Sequence, residues 1–124
     1  MKKPQLNDDL QELLPLTPAV FYVLLSLSDG EKHGYAIMLE MKKVSSGQFR
    51  MGPATLYTTL QRLLELGLID EVPARESPAE SDNRRRYYRL RGDGQAVLDA
   101  EVSRMESVVR MAKKRKKLLP ETAR

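Results

Sequence analysis

Arginine crowds one short stretch of this chain. Arg84, Arg85, Arg86, Arg89 and Arg91 are interleaved with Tyr87 and Tyr88. Guanidinium forks match phosphate oxygens in bidentate geometry, and charges this dense repel one another unless a polyanion lies nearby. Glu76, Glu80 and Asp82 offer the alternative, partial neutralisation within the chain itself. A second set recurs at helical spacing: Ala54, Thr58, Gln61 and Arg62, flanked by Thr55 and Tyr57, with no acid before Glu65. Small and amide-bearing side chains near a helix start can approach base edges, and arginine reaches guanine or phosphate. A solvated polar face has the same composition. Tyr35 and Tyr57 can donate hydrogen bonds to phosphates, or pack inward with a wetted hydroxyl.

Other chemistry finds little support. Cysteine is absent, which excludes disulfides, thiolate zinc sites and cysteine nucleophiles. His33 is the one histidine, so no His-His metal pair exists and triad chemistry is not expected. Asp8-Asp9 and Asp70-Glu71 are the adjacent carboxylates, and alternation along a strand turns Asp70 and Glu71 to opposite faces. No catalytic role and no cofactor are expected. No apolar run approaches the roughly 18 residues that cross a bilayer, and the opening residues lack the apolar stretch of a secretory signal. The expectation is a soluble, cytoplasmic protein without a membrane partner. A length of 124 residues fits one domain, and a net charge of +4 with a pI near 9.4 makes nucleic acid a candidate partner. His33 reads as structural, with a phosphate contact or pH switch as the alternative. Met38, Met41, Met105 and Met111 suit core or seam positions. The run Lys113 to Lys117 complements a helix C-terminus, or binds DNA or an anionic surface.

The elements that would position these residues are legible in order. Leu6, Leu10, Leu13 and Leu14 suggest a short helix or a flexible arm over residues 1–15. Thr17-Pro18 opens a helix with a cap and a first-turn proline, apolar on most sides and stopped by Ser28-Asp29-Gly30. A second helix runs from about Gly34 to Val44, with Ile37, Met38, Met41 and Val44 on one face. A third starts at Gly52-Pro53 and stops at Gly67, burying Leu56, Leu60 and Leu63, with Leu64 widening the stripe. Leu68 to Pro73 and Arg85 to Leu90 then read as a two-stranded hairpin with a long tip, turning Tyr88 and Leu90 inward and Arg85, Tyr87 and Arg89 outward. Three helices and a hairpin are the order of a winged helix-turn-helix, so the fold class is mainly α with a small β-hairpin. A last helix follows from about Gly94 to Leu119. Its Leu98, Val102, Met105, Val109 and Ala112 step by 4, 3, 4 and 3, and Val97, Val108 and Met111 form a second apolar row. A small winged domain cannot cover both rows, which points to a second copy of the chain, a homodimer. The divisions are an arm at 1–15, a winged domain at 16–91, a dimerisation helix at 92–119 and a tail at 120–124.

The chain resembles the PadR-like (phenolic-acid-decarboxylase regulator) family of bacterial transcriptional regulators in its short form. The resemblance is carried by His33-Gly34-Tyr35-Ala36-Ile37, the run Gly52 to Leu63, Gly67-Leu68-Ile69, and Arg85 to Leu90 with Gly94 following. It implies a DNA-binding winged domain on a palindromic operator of double-stranded DNA, dimerisation by the C-terminal helix, and repression released by a small-molecule effector or another signal. Pro53 to Arg62 then correspond to the recognition helix and Arg85 to Tyr88 to the wing. The chain departs from the family pattern in places. Gly52 stands where many members have serine, Ala54 where they have glycine, and Thr58 where they have proline, so operator sequence does not transfer. Arg91 replaces a capping threonine, a role that Asp93 is expected to assume. The chain has no tryptophan to sandwich flat aromatic drugs, as some members do. A protein-interaction module with a basic surface is the alternative reading of the same features.

Overall fold

The computed structural model describes residues 6–72 and 86–118. The elements are α1 (Asp8–Gln11), α2 (Pro18–Leu27), β1 (Lys32–His33), α3 (Gly34–Val44), α4 (Pro53–Glu65), β2 (Ile69–Glu71), β3 (Tyr87–Leu90) and α5 (Gly92–Leu118). Asn7 starts α1 by accepting from the Leu10 amide at 2.9 Å. Thr17 starts α2 in the same way, accepting from the Val20 amide at 3.3 Å, with Pro18 in the first turn.

The apolar α2 sits at the centre and touches α3, α4 and α5. Val23, Leu24 and Leu27 lie in the core beside Ile37 and Met41 of α3 and Leu56, Leu60 and Leu63 of α4. The leucine stripe fixes the rotation of α4 about its axis, with its polar residues facing away from the protein. At its C-terminus Gly67 takes φ +74°, Leu68 N–H donates to Leu63 O at 3.0 Å, and Gly67 N–H donates to Leu64 O at 3.1 Å. This left-handed glycine cap turns the chain directly into β2.

The sheet has three antiparallel strands in the order β1-β3-β2, not the two expected. Tyr88 pairs with Lys32 on one side and Glu71 on the other. β1 is two residues long, too short to leave an alternation signal in the sequence. Asp93 also differs from expectation: it lies within the first turn of α5, where its charge complements the helix dipole, and is not the cap.

The root of α5 is fixed by a close approach. A Cβ on Gly94 would lie 2.2 Å from Leu68 O, so only glycine lets the helix cross there. Arg91 N–H donates to the same Leu68 carbonyl at 3.0 Å. Glu101 makes a second attachment. Its buried carboxylate accepts from the Leu16 amide at 3.0 Å and from Arg104 at 2.6 and 3.1 Å. Arg104's hydrogen bonds, with help from the Leu16 amide, hold Glu101 below the usual glutamate range against the opposing effect of burial.

Candidate nucleic-acid interface

The outward face of α4 is bare. Pro53, Ala54, Thr55, Tyr57, Thr58, Gln61 and Arg62 are all exposed, while Leu56, Leu60 and Leu63 beneath them are at most 1% exposed. No side chain caps the helix at Gly52, so the first-turn amides point outward without that partner. Thr58 Oγ1 donates to Ala54 O at 2.9 Å, Thr59 Oγ1 to Thr55 O at 2.8 Å, and Gln61 Nε2 to Glu65 Oε2 at 3.4 Å. Arg62 forms no ion pair among the described residues. The surface carries hydrogen-bonding groups, methyls and one guanidinium unengaged among the described residues.

The tyrosines flanking this face are exposed, Tyr35 by 57% and Tyr57 by 49%, which favours their outward reading over core packing. Gly34 makes room for Tyr57: a Cβ there would lie 2.6 Å from its hydroxyl. His33 is structural. Its Nδ1 accepts from the Ala36 amide at 3.2 Å and so caps α3. The His33 ring runs parallel to Tyr35 at 6.5 Å and meets Tyr87 edge-on at 5.3 Å. That contact leaves Tyr87 half-buried, where strand alternation alone placed it fully outward.

Beside α4 rises β3, and the arginines within and flanking it meet strand carboxylates. Arg86 lies 3.6 Å from Glu71, and Arg89 and Arg91 lie 3.9 and 2.9 Å from Asp70. Neutralisation among the described residues therefore comes from β2. Arg84, Arg85 and the tip acids Glu76, Glu80 and Asp82 fall outside the described residues. Exposed pairs of this kind hold weakly and exchange readily for phosphate. Tyr88 is buried under the strand, and that burial, then the Glu71 charge, raises its phenol above the ordinary value and keeps it protonated.

The seam expected on α5 divides in two. Leu98 is 3% exposed and belongs to the core of its own chain, together with Val97. From Val102 onward the helix leaves the body. Val102, Val108, Val109 and Met111 are 37–59% exposed, Ala112 is exposed, and Met105 is half-buried. Phe21, Val102, Met105 and Val109 border an open crevice of about 480 Å³. Sequence reasoning missed the Glu101 clamp, although an acid three residues before an arginine on a helix was a usable signal.

The family model of the transcriptional regulator PadR-like family matches residues 23–100, more than half of the chain. The chain belongs to that family. The match runs from the middle of α2 to the root of α5, most of the winged body. An uncharacterised 37.1 kDa protein in transposon TN4556 of Streptomyces fradiae is 36% identical over 87 residues, 70% of this chain. The chain spans 23% of that relative's length. Among solved structures, a PadR family transcription regulator from Clostridium difficile superposes with a TM-score of 0.65 at 20% identity, covering 79% of this chain and 97% of that one. A transcriptional regulator from Clostridium thermocellum gives 0.63 at 21% identity, covering 87% and 97%. Bacillus subtilis PadR in complex with operator DNA gives 0.61 at 20% identity, covering 71% and 48%. These likenesses establish the winged fold of the PadR-like family for this chain. Among the described residues no helix is long and apolar enough to cross a membrane.

Proposed function

We propose that this PadR-like chain is a cytoplasmic transcriptional repressor that binds a palindromic operator as a homodimer and is released by a signal such as a small molecule. Its two α4 helices would enter successive major grooves about one DNA turn, roughly 34 Å, apart. Residues 16–91 bind DNA and residues 92–119 dimerise. The observation that carries the reading is the exposed polar face of α4, held outward by buried leucines and left uncovered by the other described residues. The operator complex of the Bacillus subtilis relative supports it.

Roles follow from position. Ala54, Thr55, Thr58, Gln61 and Arg62 face base edges, with Pro53 setting the helix start. Tyr35 and Tyr57 donate to phosphates. Arg86, with Arg84 and Arg85, grips the backbone or the minor groove, exchanging the Glu71 contact for phosphate. On α5, Val102, Met105, Val109 and Ala112 meet the partner copy. An unpacked helix end with this much apolar surface is marginal alone, which supports a partner there.

A random pool of duplexes, selected by the purified protein and sequenced, tests the reading. Enrichment of a two-fold symmetric sequence is expected. Retention of duplexes without any sequence preference would instead favour a protein-interaction module, the reading that the carboxylates on the wing arginines support.

A further inference from the structure

Thr58 is held in a way that limits what it can offer. Its Oγ1 donates to Ala54 O at 2.9 Å, so its one hydroxyl hydrogen is engaged by the helix backbone. What remains outward is the γ-methyl, with the oxygen lone pairs beside it. Ala54, one turn earlier, contributes only a methyl. At 3.6 residues per turn both lie within about 30° of the pole opposite Leu56, Leu60 and Leu63, the line that goes deepest into a groove. Both are exposed. Gln61, to one side of this line, directs its amide to Glu65. The middle of the α4 face is therefore two methyls bracketed by Thr55, Gln61 and Arg62.

In the major groove thymine is the base that carries a methyl, at C5. We infer that Ala54 and Thr58 read thymine through that methyl, so each operator half-site holds thymine beneath the centre of α4. The inference rests on the DNA-binding reading above. Cβ atoms one helical turn apart are separated by about 5–6 Å, against a rise of about 3.4 Å per base, so the two contacts fall one or two base pairs apart. Thr58 then sets specificity by shape, not by donating a hydrogen bond.

The test uses the duplex recovered from the random pool. If no sequence is enriched, the DNA-binding reading has failed and this inference falls with it; the next step separates the two. On the recovered duplex each thymine is replaced singly by deoxyuridine, which removes the methyl alone, and affinity is measured. The wild-type protein should lose about fourfold at one or two positions per half-site, the worth of one buried methyl-sized group. Thr58→Ser keeps the bond to Ala54 and lacks the methyl, so one of those positions should become insensitive. Thr58→Val keeps the methyl and should retain the sensitivity. A flat uridine scan for the wild type would overturn the inference even with a strong operator in hand. So would equal scans for the wild type and Thr58→Ser, or loss of sensitivity in Thr58→Val with retention in Thr58→Ser.

Discussion

Replacing Gly94 by alanine should damage this protein far more than the same change two residues earlier. The added Cβ would sit 2.2 Å from Leu68 O and 2.8 Å from Leu90 Cδ1. Leu90 can rotate away; a backbone carbonyl at the entry to β2 cannot. Non-bonded carbon and oxygen stay about 3.3 Å apart or more, so the root of α5 must lift by roughly 1 Å. That movement breaks the Arg91 to Leu68 hydrogen bond and loosens Val97 and Leu98 in the core. Overpacking costs about 1–3 kcal/mol and the lost hydrogen bond about 1 kcal/mol, against at most about 1 kcal/mol gained by alanine over glycine in a helix. The net loss is about 1–3 kcal/mol. At roughly 3–6 °C per kcal/mol, the thermal midpoint should fall by about 3–18 °C. A Cβ on Gly92 meets nothing within 4 Å, so Gly92→Ala should hold or raise the midpoint. Urea and thermal unfolding followed by circular dichroism, at one protein concentration because association also stabilises, gives both numbers. Equal midpoints for the two variants would refute the close approach.

Further outcomes are expected. Arg86→Ala should weaken binding by a similar factor on every duplex and reduce the salt slope by about 1, whereas Gln61→Ala should change which duplex is preferred; identical profiles would refute that division. Glu101→Gln should cost about 1–3 kcal/mol through its weakened bonds to Arg104 and Leu16. Because Glu101 gives up its charge less readily in the folded chain, the unfolded state binds more protons in the acid range. Its stabilisation is therefore full above the usual glutamate range and fades as pH falls toward the lowered folded value. Urea midpoints measured across that window should drop more steeply for the wild type than for Glu101→Gln. Val109→Glu places a charge on the exposed seam and should shift sedimentation toward the monomer while leaving the winged body folded. An unchanged sedimentation coefficient would place the interface elsewhere.

Local signals named most of the helices. Thr17-Pro18 and Gly67 each encode a cap whose geometry is decided within one turn, and the structure places the ends of α2 and α4 there. The stretch Gly34–Val44 carries a clean apolar face and forms α3 between those residues. The rotation of α4 was equally legible, because three leucines in phase determine which side is left for a partner. Features that depend on tertiary pairing were not. β1 exists because Tyr87 and Tyr88 lie beside Lys32 and His33, a contact that no two-residue pattern announces. Periodicity also could not say which protein surface covers a seam: Leu98 and Val102 share one stripe, yet the first closes its own core and the second stays open. A carboxylate on the inward side of a helix looks the same in sequence as one in water, which hid Glu101.

The two attachments at the base of α5 govern how force could travel through this molecule. Gly94 seats the helix on Leu68 at the entry to β2, and seven residues later Glu101 fastens it to the segment leading into α2. These two attachments tie the root of α5 to the winged body. In a pair of chains joined along the free ends of α5, the gap between the reading helices would behave like the jaws of a calliper whose arms are welded to their blades. Any signal that loosens the grip on an operator would then have to act at the joint between the two copies, or break one of the welds.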